Sequence, residues 1–535
     1  MARSVAQAIL EQLGLWGVKR IYGVVGDAVF GLIDALAKQT SISFIAVKHE
    51  SVAAMMASAE AKVTGRLAVC ISHMGPGLTN LITGLGDAYL DKVPVLAITG
   101  QVPLNKIGTT YKQYIDQQQL VQAVSSFSQM AVHPDAILES MTHAMYTSLL
   151  QRTVSHLSIP SDVFTMFTTM QPCEPPPVSV SSPDPLEIRH ALDLLRSAKR
   201  PVLLVGSRAR SAREPIRKLA EVWRCAIANS YGAVGIVPDS YPLMVSGLGE
   251  GGNPYLPELL ERADVVLAVE ASWPDKFITT SPALIQLVSH PSEFGTLRSA
   301  SRRILGHTNS ILENWIDGLS EYEPDPGWER QIRECKQAWA ALNEKERNQN
   351  ASPLSPSAII QVMENHIPAD AVIALDEGDS TLWFLRNFRA AQQNVLLSEH
   401  WRTMGFGLPA AMAAKCCLPE KQVVCITGDG GLAMVLADLI TASRYGFLIT
   451  VIVFQNGTLQ MERDKMLMKG LQLQDTEIAN PDFVKVSEAC GWISYHAEHA
   501  DQLANALLMS QNSSKPSLIN VRTARIPHPD FLSHV

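Results

Sequence analysis

Two polar positions near the end of the chain have the types and spacing of a metal–diphosphate site. Gly428, Asp429, Gly430 and Gly431 follow the apolar run QVVCIT, and Asn456 ends the next apolar run, ITVIVFQN. Glycines at a strand-to-helix turn let backbone N–H groups approach a phosphate, although ordinary turn chemistry also uses them. Because the carboxyl ends of parallel strands meet at one edge of a sheet, we expect Asp429 and Asn456 to lie together. A carboxylate, an amide oxygen and phosphate oxygens suit Mg²⁺ or Ca²⁺ and do not suit zinc.

Buried parallel strands must hold these positions, and apolar runs that predict such strands recur along the chain. The first third contains RIYGVVG, SFIAVK, LAVCIS and VPVLAITG; the middle contains PVLLVG, CAIANS, ADVVLAVEA and ALIQLVS; the last third contains AVIALDEG, QVVCITGDGG, ITVIVFQN and SLINVRT. Strands this apolar on both faces need helices on both sides of the sheet. The predicted fold class is therefore α/β, with three doubly wound parallel-sheet domains.

Two linker-like stretches predict where the domains end. Residues 171–185 are rich in proline, and residues 321–357 contain EYEPDPGWE, a polar helical stretch and ERNQNASPLSPS. Proline cannot continue a helix interior or a central strand. The predicted domains are therefore residues 1–170, 186–320 and 355–535.

The first and last domains contain a weakly similar sequence pattern. HESVAAMMASAEAKVTGRLAVCISHMGPG and GFGLPAAMAAKCCLPEKQVVCITGDGG both contain a small-residue helix, a basic turn, a strand and a glycine turn. Any strand–helix–strand unit has a similar pattern, so this similarity says something about function only if the two domains share one task.

Composition excludes several classes of function. The 535 residues contain 44 Lys and Arg against 52 Asp and Glu, a net charge of −8, without a basic block that would bind nucleic acid or an anionic membrane. The eight cysteines show no CxxC spacing, and several lie inside apolar runs such as LAVC and VVCIT, which indicates buried thiols in a reducing compartment. The N-terminus carries charges through its apolar stretch, unlike a signal peptide, and we find no apolar run of about 18 residues. We therefore expect a cytoplasmic enzyme.

The motif in the last domain resembles that of a known superfamily. GDGG followed by a strand that ends in Asn is similar to the thiamine diphosphate motif of the acetolactate synthase, pyruvate oxidase and pyruvate decarboxylase superfamily. The resemblance implies that Asp429, the Asn456 side chain and the Thr458 carbonyl hold Mg²⁺ against the cofactor's diphosphate. It also implies cofactor contacts from the motif glycines and from the apolar residue that follows Thr458. These are Gly428, Gly430, Gly431 and Leu459.

The resemblance extends to the first domain. In the superfamily, this domain supplies a glutamate to the aminopyrimidine ring across a dimer interface, and KHESVAAMMASAEA places Glu50 in that position. GVVGDAVFG matches the family's Gly-Asp turn at Gly26 and Asp27. HMGPGLTNLITGL matches its GPG segment, which begins at Gly75 and is followed by Asn80. These matches make the first domain the pyrimidine-binding domain and the last one the diphosphate-binding domain.

Two further segments of the last domain match cofactor contacts of the family. In RTMGFGLPAAMAA, Met404 occupies the position of the bulky apolar residue under the cofactor, and the Arg402 carbonyl should accept a hydrogen bond from the 4′-amino group. DEGDSTLW matches a loop on the diphosphate side, which adds Gly378 and Asp379 to the expected cofactor-binding residues.

The implied chemistry is decarboxylation of a 2-oxo acid to an enamine, followed by one of several steps. Addition to a second carbonyl is the acetolactate synthase-like outcome and is favoured by the similarity along the chain. Protonation to an aldehyde is favoured by Glu462, because simple decarboxylases carry a glutamate at that position as a proton donor. A pyruvate oxidase-like reaction is a third outcome. A cofactor-binding paralogue without turnover would catalyse none of these steps, and intact Glu50, Asp429 and Asn456 speak against it.

The substrate pocket departs from the synthase pattern at three positions. Lys112 replaces the usual shielding phenylalanine, Lys465 replaces an acceptor-pocket tryptophan, and Glu462 replaces an aliphatic residue, whereas Gln113 matches the family's glutamine. If both lysines point inward, their charges suit a substrate with an extra anionic group; if they point to solvent, they carry no such information. Asp27, Lys112, Gln113 and Glu462 join Glu50 as candidate catalytic residues.

The sequence of the central domain indicates whether a second cofactor, a flavin, is expected. Flavin-binding relatives carry an acidic strand end where this chain has LIQLVSHPSEFG, and the glycines of GLGEGG alone are weak evidence for a nucleotide. FAD is therefore a possible cofactor that the sequence does not favour. The shared active site implies a homodimer or homotetramer that acts on a 2-oxo acid, with no nucleic acid and no membrane as partners.

Overall fold

Three parallel six-stranded sheets follow one another along the chain. The structure is a computed structural model, and it describes residues 3–176, 183–271, 282–294, 300–347 and 352–532. Each sheet has helices on both faces, as expected for strands that are apolar on both sides. The predicted α/β fold with three doubly wound parallel-sheet domains is confirmed. The predicted domain limits stay a proposal.

The first sheet has the strand order β3-β2-β4-β5-β7-β6, and a separate antiparallel pair joins β1 to β8. The strands are β1 (Arg3–Ser4), β2 (Arg20–Gly23), β3 (Ser43–Ala46), β4 (Ala68–Ser72), β5 (Val95–Gln101), β6 (Phe127–Met130), β7 (Val154–Pro160) and β8 (Phe167–Thr168). The helices are α1 (Val5–Leu15), α2 (Phe30–Ala37), α3 (Glu50–Thr64), α4 (Pro76–Leu90), α5 (Gln117–Val121) and α6 (Ile137–Gln151).

The second sheet has the order β11-β10-β9-β12-β13-β14, the doubly wound order of dinucleotide-binding folds. Its strands are β9 (Pro201–Val205), β10 (Ala226–Asn229), β11 (Met244–Gly247), β12 (Val265–Val269), β13 (Ala283–Val288) and β14 (Ala300–Leu305). The helices of this region are α7 (Pro185–Ser197), α8 (Arg213–Trp223), α9 (Leu256–Glu261), α10 (Thr308–Gly318) and α11 (Trp328–Arg347).

The third sheet has the order β16-β15-β17-β18-β20-β19. Its strands are β15 (Val372–Leu375), β16 (Asn394–Leu396), β17 (Val423–Gly428), β18 (Thr450–Gln455), β19 (Ile493–Ala497) and β20 (Ser517–Arg522). The helices are α12 (Pro356–His366), α13 (Asp379–Asn387), α14 (Gly407–Cys417), α15 (Asp429–Met434), α16 (Leu439–Tyr445), α17 (Gln460–Met468), α18 (Phe483–Ala489) and α19 (Ala500–Gln511).

The first and last domains, whose sequence patterns are similar, also share one sheet topology. Numbered from its own first strand, each of the two sheets has the order 2-1-3-4-6-5, which the central sheet does not share. The helices of the two similar segments, α3 and α14, pack against each other inside one apolar cluster that includes Met56, Leu81, Leu408 and Met412. Small residues along both helices allow this close contact, so each domain supplies part of the other's core.

Two expectations about the whole chain can be compared with the structure. Cys70, Cys225, Cys335 and Cys425 are buried, and all eight cysteines are free thiols. Burial raises the pKa of the Cys335 thiol to about 11, so this group stays protonated at neutral pH. Among the described residues, we find no helix long and apolar enough to cross a membrane.

Candidate active site

The Asp429 carboxylate is the centre of the site at the edge of the third sheet. Asp429 begins α15 directly after β17, and its side chain is 3% exposed. Oδ2 accepts hydrogen bonds from Gly457 N at 2.7 Å and from Asn480 Nδ2 at 2.8 Å, while Oδ1 accepts one from Gly430 N at 3.0 Å. Burial raises the pKa of Asp429, and these hydrogen bonds oppose the shift. A bound cation would favour the charged carboxylate further.

The loop after β18 brings the other expected metal ligands to Asp429. Asn456 follows β18, and its Oδ1 accepts a hydrogen bond from Thr458 N at 3.1 Å. Thr458 is 3% exposed, and its Oγ1 donates to Thr476 O at 2.9 Å. Arg525 Nε donates to Asn456 O at 2.7 Å and fixes the loop from outside. The sheet therefore places one carboxylate and one amide side chain at neighbouring strand ends, as the spacing predicts.

The donor set at this edge fits Mg²⁺ and a diphosphate. Within the described residues, no group of three or more His, Cys, Asp or Glu side chains could hold a metal ion. A cation here would therefore need amide, carbonyl and phosphate oxygens beside Asp429, which is the chemistry that Mg²⁺ accepts. Asn480 Oδ1 is buried without a hydrogen-bond partner in the described structure, so a further oxygen is available at this edge.

The glycines of the motif keep this edge open. A Cβ at Gly431 would lie 2.5 Å from Asp376 Oδ2, and a Cβ at Gly430 would lie 3.1 Å from Leu459 and 3.2 Å from Met404. A larger residue would therefore disturb the surroundings of the pocket. A Cβ at Gly428, in contrast, would meet nothing within 4 Å. The requirement for glycine is thus steric at Gly430 and Gly431.

The Asp376 carboxylate holds two other segments of the site in place. Its Oδ1 accepts hydrogen bonds from Gly405 N at 2.7 Å and Phe406 N at 3.1 Å, which fixes the turn after Met404. Its Oδ2 accepts one from Thr427 Oγ1 at 2.7 Å, next to the glycine motif. Burial raises the pKa of Asp376 to about 6. A single carboxylate therefore positions the Met404 turn relative to the motif.

A small cavity of about 90 Å³ opens between these segments. The residues that line it include most of the expected cofactor contacts of the last domain. They are Glu377, Gly378, Asp379, Ser380, Met404, Gly428, Asp429, Gly430, Gly431, Phe454, Asn456, Thr458, Leu459, Gln460, Met461, Glu462 and Thr523. All of them come from the third domain.

Gly378 and Asp379 form the start of α13 on one wall of this cavity. Gly378 has φ +144°, and Asp379 is the first residue of the helix. Burial, together with the nearby Asp464 carboxylate, raises the pKa of Asp379 well above its usual range. Asp379 Oδ1 has no hydrogen-bond partner among the described residues. A protonated Asp379 can donate to a phosphate oxygen, whereas a charged one would repel it.

Glu377 places a second carboxyl group in the cavity wall. Its side chain is 7% exposed, and burial raises its pKa to about 7, although the Arg402 guanidinium opposes the shift. A group with this pKa can both donate and accept a proton near neutral pH. Sequence reasoning named the segment DEGDSTLW but missed Glu377 as a site residue.

Arg402 has a strained backbone that its side chain fixes. Its φ is +53°, in the left-handed region that favours glycine. The guanidinium pairs with Glu250 in the GLGEGG segment and lies 4.6 Å from the centre of the Tyr231 ring. The central domain thus anchors the residue whose carbonyl is expected to contact the cofactor. This packing also gives the GLGEGG segment a role other than nucleotide binding.

Glu462 and Lys465 lie together on the first turns of α17. Lys465 Nζ is 3.0 Å from Glu462 Oε1, and the Lys465 and Glu462 side chains are 37% and 56% exposed. Glu462 reaches the cavity, whereas Lys465 is not among its lining residues. Glu462 therefore stays a candidate proton donor, held at the mouth of the cavity and not inside it.

Glu50 forms the centre of the N-terminal half of the site. It is the first residue of α3, and Asn80 Nδ2 on α4 donates to Glu50 Oε2 at 2.9 Å. Both side chains are partly exposed. Asn80, expected from the sequence to contact the cofactor, thus orients the predicted catalytic glutamate.

A second N-terminal cluster joins Asp27 to Gln113 through His73. Asp27 Oδ1 lies 3.3 Å from His73 Nδ1, and Gln113 Oε1 lies 3.0 Å from His73 Nε2. Ala28 N donates to His73 Nδ1 at 3.3 Å, so a backbone N–H also orients the ring. Sequence reasoning missed His73, although it directly precedes the quoted motif MGPG.

Close packing between backbones holds the loops of this cluster together. Gly75 has φ +47°, and a Cβ there would lie 2.5 Å from Gln113 O. A Cβ at Gly26 would lie 2.7 Å from His73 Cβ. The two glycine turns that the sequence singled out are therefore needed for close approach around His73.

Both lysines of the expected substrate pocket are exposed in the single described chain. The Lys112 side chain is 66% exposed, and its Nζ is 3.9 Å from Asp27 Oδ2. Lys465 is 37% exposed and paired with Glu462. Because each ammonium keeps water and has a carboxylate beside it, neither needs a substrate anion for neutralisation. The described chain by itself therefore gives no support to an anionic-tailed substrate, because that expectation depended on the cost of removing both charges from water, and it stays a prediction.

Asn480 completes the set of residues that the sequence did not indicate. It lies 51 positions beyond Asp429 in a segment without helix or strand periodicity, yet its amide donates directly to the Asp429 carboxylate. Asp376, Glu377 and His73 could have been found by asking which polar residues end an apolar run. No comparable pattern marks Asn480.

Comparison with known proteins agrees with this geometry. Three family models match the chain in order: the thiamine pyrophosphate enzyme N-terminal TPP binding domain over residues 3–120, the central domain over 188–314 and the C-terminal TPP binding domain over 376–521. The first and third of these matches contain the two halves of the site described above.

Similarity to individual proteins extends over nearly the whole chain. A putative thiamine pyrophosphate-containing protein, YdaP, of Bacillus subtilis (strain 168) is 30% identical over 531 residues, covering 98% of this chain and 92% of the relative. The acetolactate synthase isozyme 2 large subunit of Escherichia coli (strain K12) is 29% identical, covering 96% of this chain and 95% of the relative. A pyruvate oxidase of Lactiplantibacillus plantarum is 28% identical, covering 93% and 84%.

Proposed function

The chain belongs to the thiamine pyrophosphate enzymes, and from that premise we propose that it is a Mg²⁺-dependent carboligase that acts on 2-oxo acids. The reaction joins the fragment left after loss of CO₂ to a second carbonyl compound. The observation that carries the proposal is the presence of both halves of a site in one chain: Glu50 with Asn80, and Asp429 with Asn456 and Thr458.

Thiamine diphosphate, when bound, supplies a nucleophilic carbon and an electron sink for the decarboxylation of 2-oxo acids. Asp429, the Asn456 amide and the Thr458 carbonyl would hold Mg²⁺ and, through it, the diphosphate. Backbone N–H groups of the glycine motif and a protonated Asp379 would contact phosphate oxygens. Met404 and Leu459 would form the apolar part of the site, since both approach Gly430 in the described cavity.

Glu50 would exchange a proton with the aminopyrimidine ring. Asn80 holds the Glu50 carboxylate through a hydrogen bond at 2.9 Å, which leaves the second carboxylate oxygen for the ring nitrogen. The Arg402 carbonyl would orient the amino group of the same ring. Its strained backbone is held by Glu250 and Tyr231, so a change in the central domain should reach this contact.

Two copies of the chain would form each complete site. All residues that line the cavity at Asp429 come from the third domain, so in one chain the described cavity contains no N-terminal residue. Large apolar side chains are exposed beside both halves: Val25 and Phe30 flank Asp27, and Met434 and Ile440 follow Asp429. Covering these side chains favours association into a homodimer or homotetramer with sites at the interface.

A simple decarboxylase that releases an aldehyde is the second candidate. Glu462 reaches the cavity, and Glu377 in its wall has a pKa of about 7. Either carboxyl group could deliver a proton to the reacting carbon, which would compete with addition of a second carbonyl compound. The ratio of the two products therefore depends on which proton donors reach that carbon.

Product analysis tests the proposal. The purified protein, supplied with thiamine diphosphate and Mg²⁺, is incubated with pyruvate and longer 2-oxo acids; CO₂ release and products are measured, and Asp429→Ala serves as the control. We expect CO₂ together with a carbon–carbon bonded product. Aldehyde as the sole product would replace the proposal by the second candidate. Bound cofactor without CO₂ release from any 2-oxo acid would contradict both.

A further inference from the structure

The third domain covers the free edge of the first sheet. Strand β3 lies at the edge of that sheet, so the backbone N–H groups on its outer side have no strand partner in the described sheet. Helix α16, which follows the Asp429 helix α15 along the chain, lies beside this edge. Contacts from the α16 segment to the outer edge of β3 therefore connect the two halves of the proposed active site within one chain.

Two side chains of the α16 segment bind N–H groups at this edge. The Tyr445 hydroxyl accepts a hydrogen bond from Ala46 N at 2.7 Å, and Asp438 Oδ1 accepts one from Lys48 N at 2.9 Å. Ala46 and Lys48 are two positions apart, as expected for N–H groups that point to the same side of an extended segment. The N–H group between them donates to β2 at 3.0 Å. The two side chains thus take the place of a neighbouring strand.

Asp438 is buried and depends on its hydrogen bonds. It is 1% exposed, and its Oδ1 also accepts a hydrogen bond from Thr441 Oγ1 at 2.7 Å. Burial raises the pKa of Asp438, and the hydrogen bonds from Thr441 and Lys48 oppose the shift. Because a buried carboxyl group is costly unless donors satisfy it, the contact with Lys48 also holds Asp438 in place.

Lys48 directly precedes the cap of the helix that presents Glu50. His49 caps α3, since its side chain accepts a hydrogen bond from Ser51 N, and Glu50 is the first residue of the helix. The backbone at Lys48 therefore determines where α3 begins and from which point the Glu50 side chain projects. Asn80 holds the carboxylate itself. Glu50 is thus held from α4 at its side chain and from α16 at the backbone before it.

We propose that Asp438 is a positioning residue for Glu50 and that Tyr445 assists it by holding β3. The inference rests on the proposed function, because Asp438 would act through the glutamate that exchanges a proton with the cofactor. Neither Asp438 nor Tyr445 lines the Asp429 cavity. Each complete site would combine Glu50 of one chain with Asp429 of another. The third domain of each chain would therefore bind the cofactor in one site and position the glutamate of the other.

Hydrogen exchange of the full chain, measured without substrate, tests the contact independently of any reaction. In Asp438→Ala the Lys48 N–H group loses its acceptor, so this amide should exchange at least about tenfold faster. In Asp438→Asn the exchange should stay within about twofold of the unaltered protein, because the amide oxygen can accept the same hydrogen bond. Unchanged exchange at Lys48 in Asp438→Ala would overturn the proposal.

Turnover tests whether the contact acts through Glu50. With thiamine diphosphate and Mg²⁺, kcat for CO₂ release should fall about 10–100-fold in Asp438→Ala and recover to within about threefold in Asp438→Asn. In a Glu50→Gln background, Asp438→Ala should lower kcat by less than about twofold further, because the group that it positions is already lost. Equal losses in the two backgrounds would make Asp438 a structural residue only and refute the proposal. A near-normal rate in Glu50→Gln alone would instead contradict the proposed function.

Ser443→Ala is the matched control on the same helix. Ser443 Oγ donates to Cys490 O at 2.6 Å, a contact within the third domain that does not reach β3. Its kcat and the exchange at Lys48 should stay within about twofold of the unaltered protein. Tyr445→Phe removes only the acceptor of the Ala46 N–H group and should lower kcat by about tenfold or less. If Asp438→Ala does not fold, the turnover test is decided by Tyr445→Phe in the same two backgrounds.

Mixed dimers show on which site Asp438 acts. Under the proposed function, Glu50→Gln chains refolded with Asp429→Ala chains form one intact site in each mixed dimer. Asp438→Ala is then added either to the Asp429→Ala chain, which supplies the intact glutamate, or to the Glu50→Gln chain, which supplies the intact aspartate. We expect a loss of at least about tenfold in the first mixture and of less than about twofold in the second.

The opposite or an equal pattern of losses would show that Asp438 acts on the metal half of its own domain and would overturn the proposal. A parent mixture without activity would contradict the proposed arrangement of the site, and the hydrogen exchange and turnover of the single variants would then decide the role of Asp438.

Discussion

The two halves of the proposed active site stand on sheets of the same strand order but differ in how tightly they are held. Asp429 is 3% exposed, and three hydrogen bonds fix its carboxylate. Glu50 is partly exposed, and one hydrogen bond from Asn80 orients it. The same topology thus supports a rigid, buried half and a more open half. The difference fits a division of labour in which one half binds the cofactor and the other exchanges a proton with it.

Asp429→Ala should have the largest effect of any single change. It removes the only carboxylate among the proposed metal ligands and leaves Asn480 without its acceptor. Mutation of a residue that hydrogen-bonds to a metal ligand typically lowers metal affinity by about 10–100-fold. Loss of the ligand itself should therefore lower it further. Cofactor retained after dialysis against a chelator measures this. Asp501→Ala, an exposed aspartate of the same domain, is the control, and equal retention in both variants would contradict the site.

Glu50→Gln should separate catalysis from binding. The amide cannot accept and return a proton as the carboxylate does, while the diphosphate and metal contacts lie in the other half of the site. Turnover should fall by about 10²–10⁴-fold with cofactor affinity nearly unchanged. Steady-state rates and cofactor titration measure the two quantities, with exposed Glu139→Gln as the control. A near-normal rate would remove Glu50 from the mechanism.

Glu377→Gln should change the pH dependence of stability. Burial raises the pKa of Glu377 from 4.5 to about 7, so the folded protein binds this proton more tightly than the unfolded chain does. Its stabilising contribution is full below about pH 4.5 and is lost as the pH rises through about 7. The glutamine cannot titrate. Between about pH 4.5 and 7, the free energy of unfolding of the variant should therefore fall by about 1–3 kcal/mol less than that of the unaltered protein.

Denaturant unfolding of the cofactor-free protein at several pH values measures this difference. Exposed Glu420→Gln should leave the pH dependence as it is. Parallel stability curves for Glu377→Gln and the unaltered protein would show that Glu377 is not buried in its neutral form.

Glu462→Val should have the smallest effect, on products and not on binding. The side chain is 56% exposed and lies at the mouth of the cavity, so its loss should disturb the cofactor contacts little. If Glu462 delivers a proton to the reacting carbon, the valine variant should release less aldehyde relative to carboligation product, by about tenfold or less. An unchanged product ratio would assign proton delivery to another group, with Glu377 next to be tested.

The fold could be predicted from sequence patterns because buried parallel strands are apolar on both faces. Each of the twelve runs named from the sequence contains a strand of one of the three sheets. Most of the strands that the sequence did not reveal are edge strands, which bury less. The exception is β7, whose His156 and Ser158 interrupt the apolar pattern. Thr99 and Ser128 hydrogen-bond to the His156 ring, so a polar residue is tolerated in a central strand.

Parts of the candidate site were predictable for a related reason. Asp429 and Asn456 end consecutive strands, so their proximity follows from topology alone. Asn480 and Asp376 contribute through contacts between distant segments, which local patterns do not encode. The exposure of Lys112 and Lys465 could not be predicted, because position in a motif does not determine which way a long flexible side chain points.

Mixing two inactive variants tests the central claim most directly, because the claim places the two halves of each site on different chains. Glu50→Gln and Asp429→Ala are unfolded together, refolded as a mixture, and assayed for CO₂ release with thiamine diphosphate and Mg²⁺. In a mixed dimer, one site combines both changes and the other combines neither, so random mixing should restore about a quarter of the unaltered activity. Activity no higher than that of each variant refolded alone would place Glu50 and Asp429 of one site in the same chain and contradict the account.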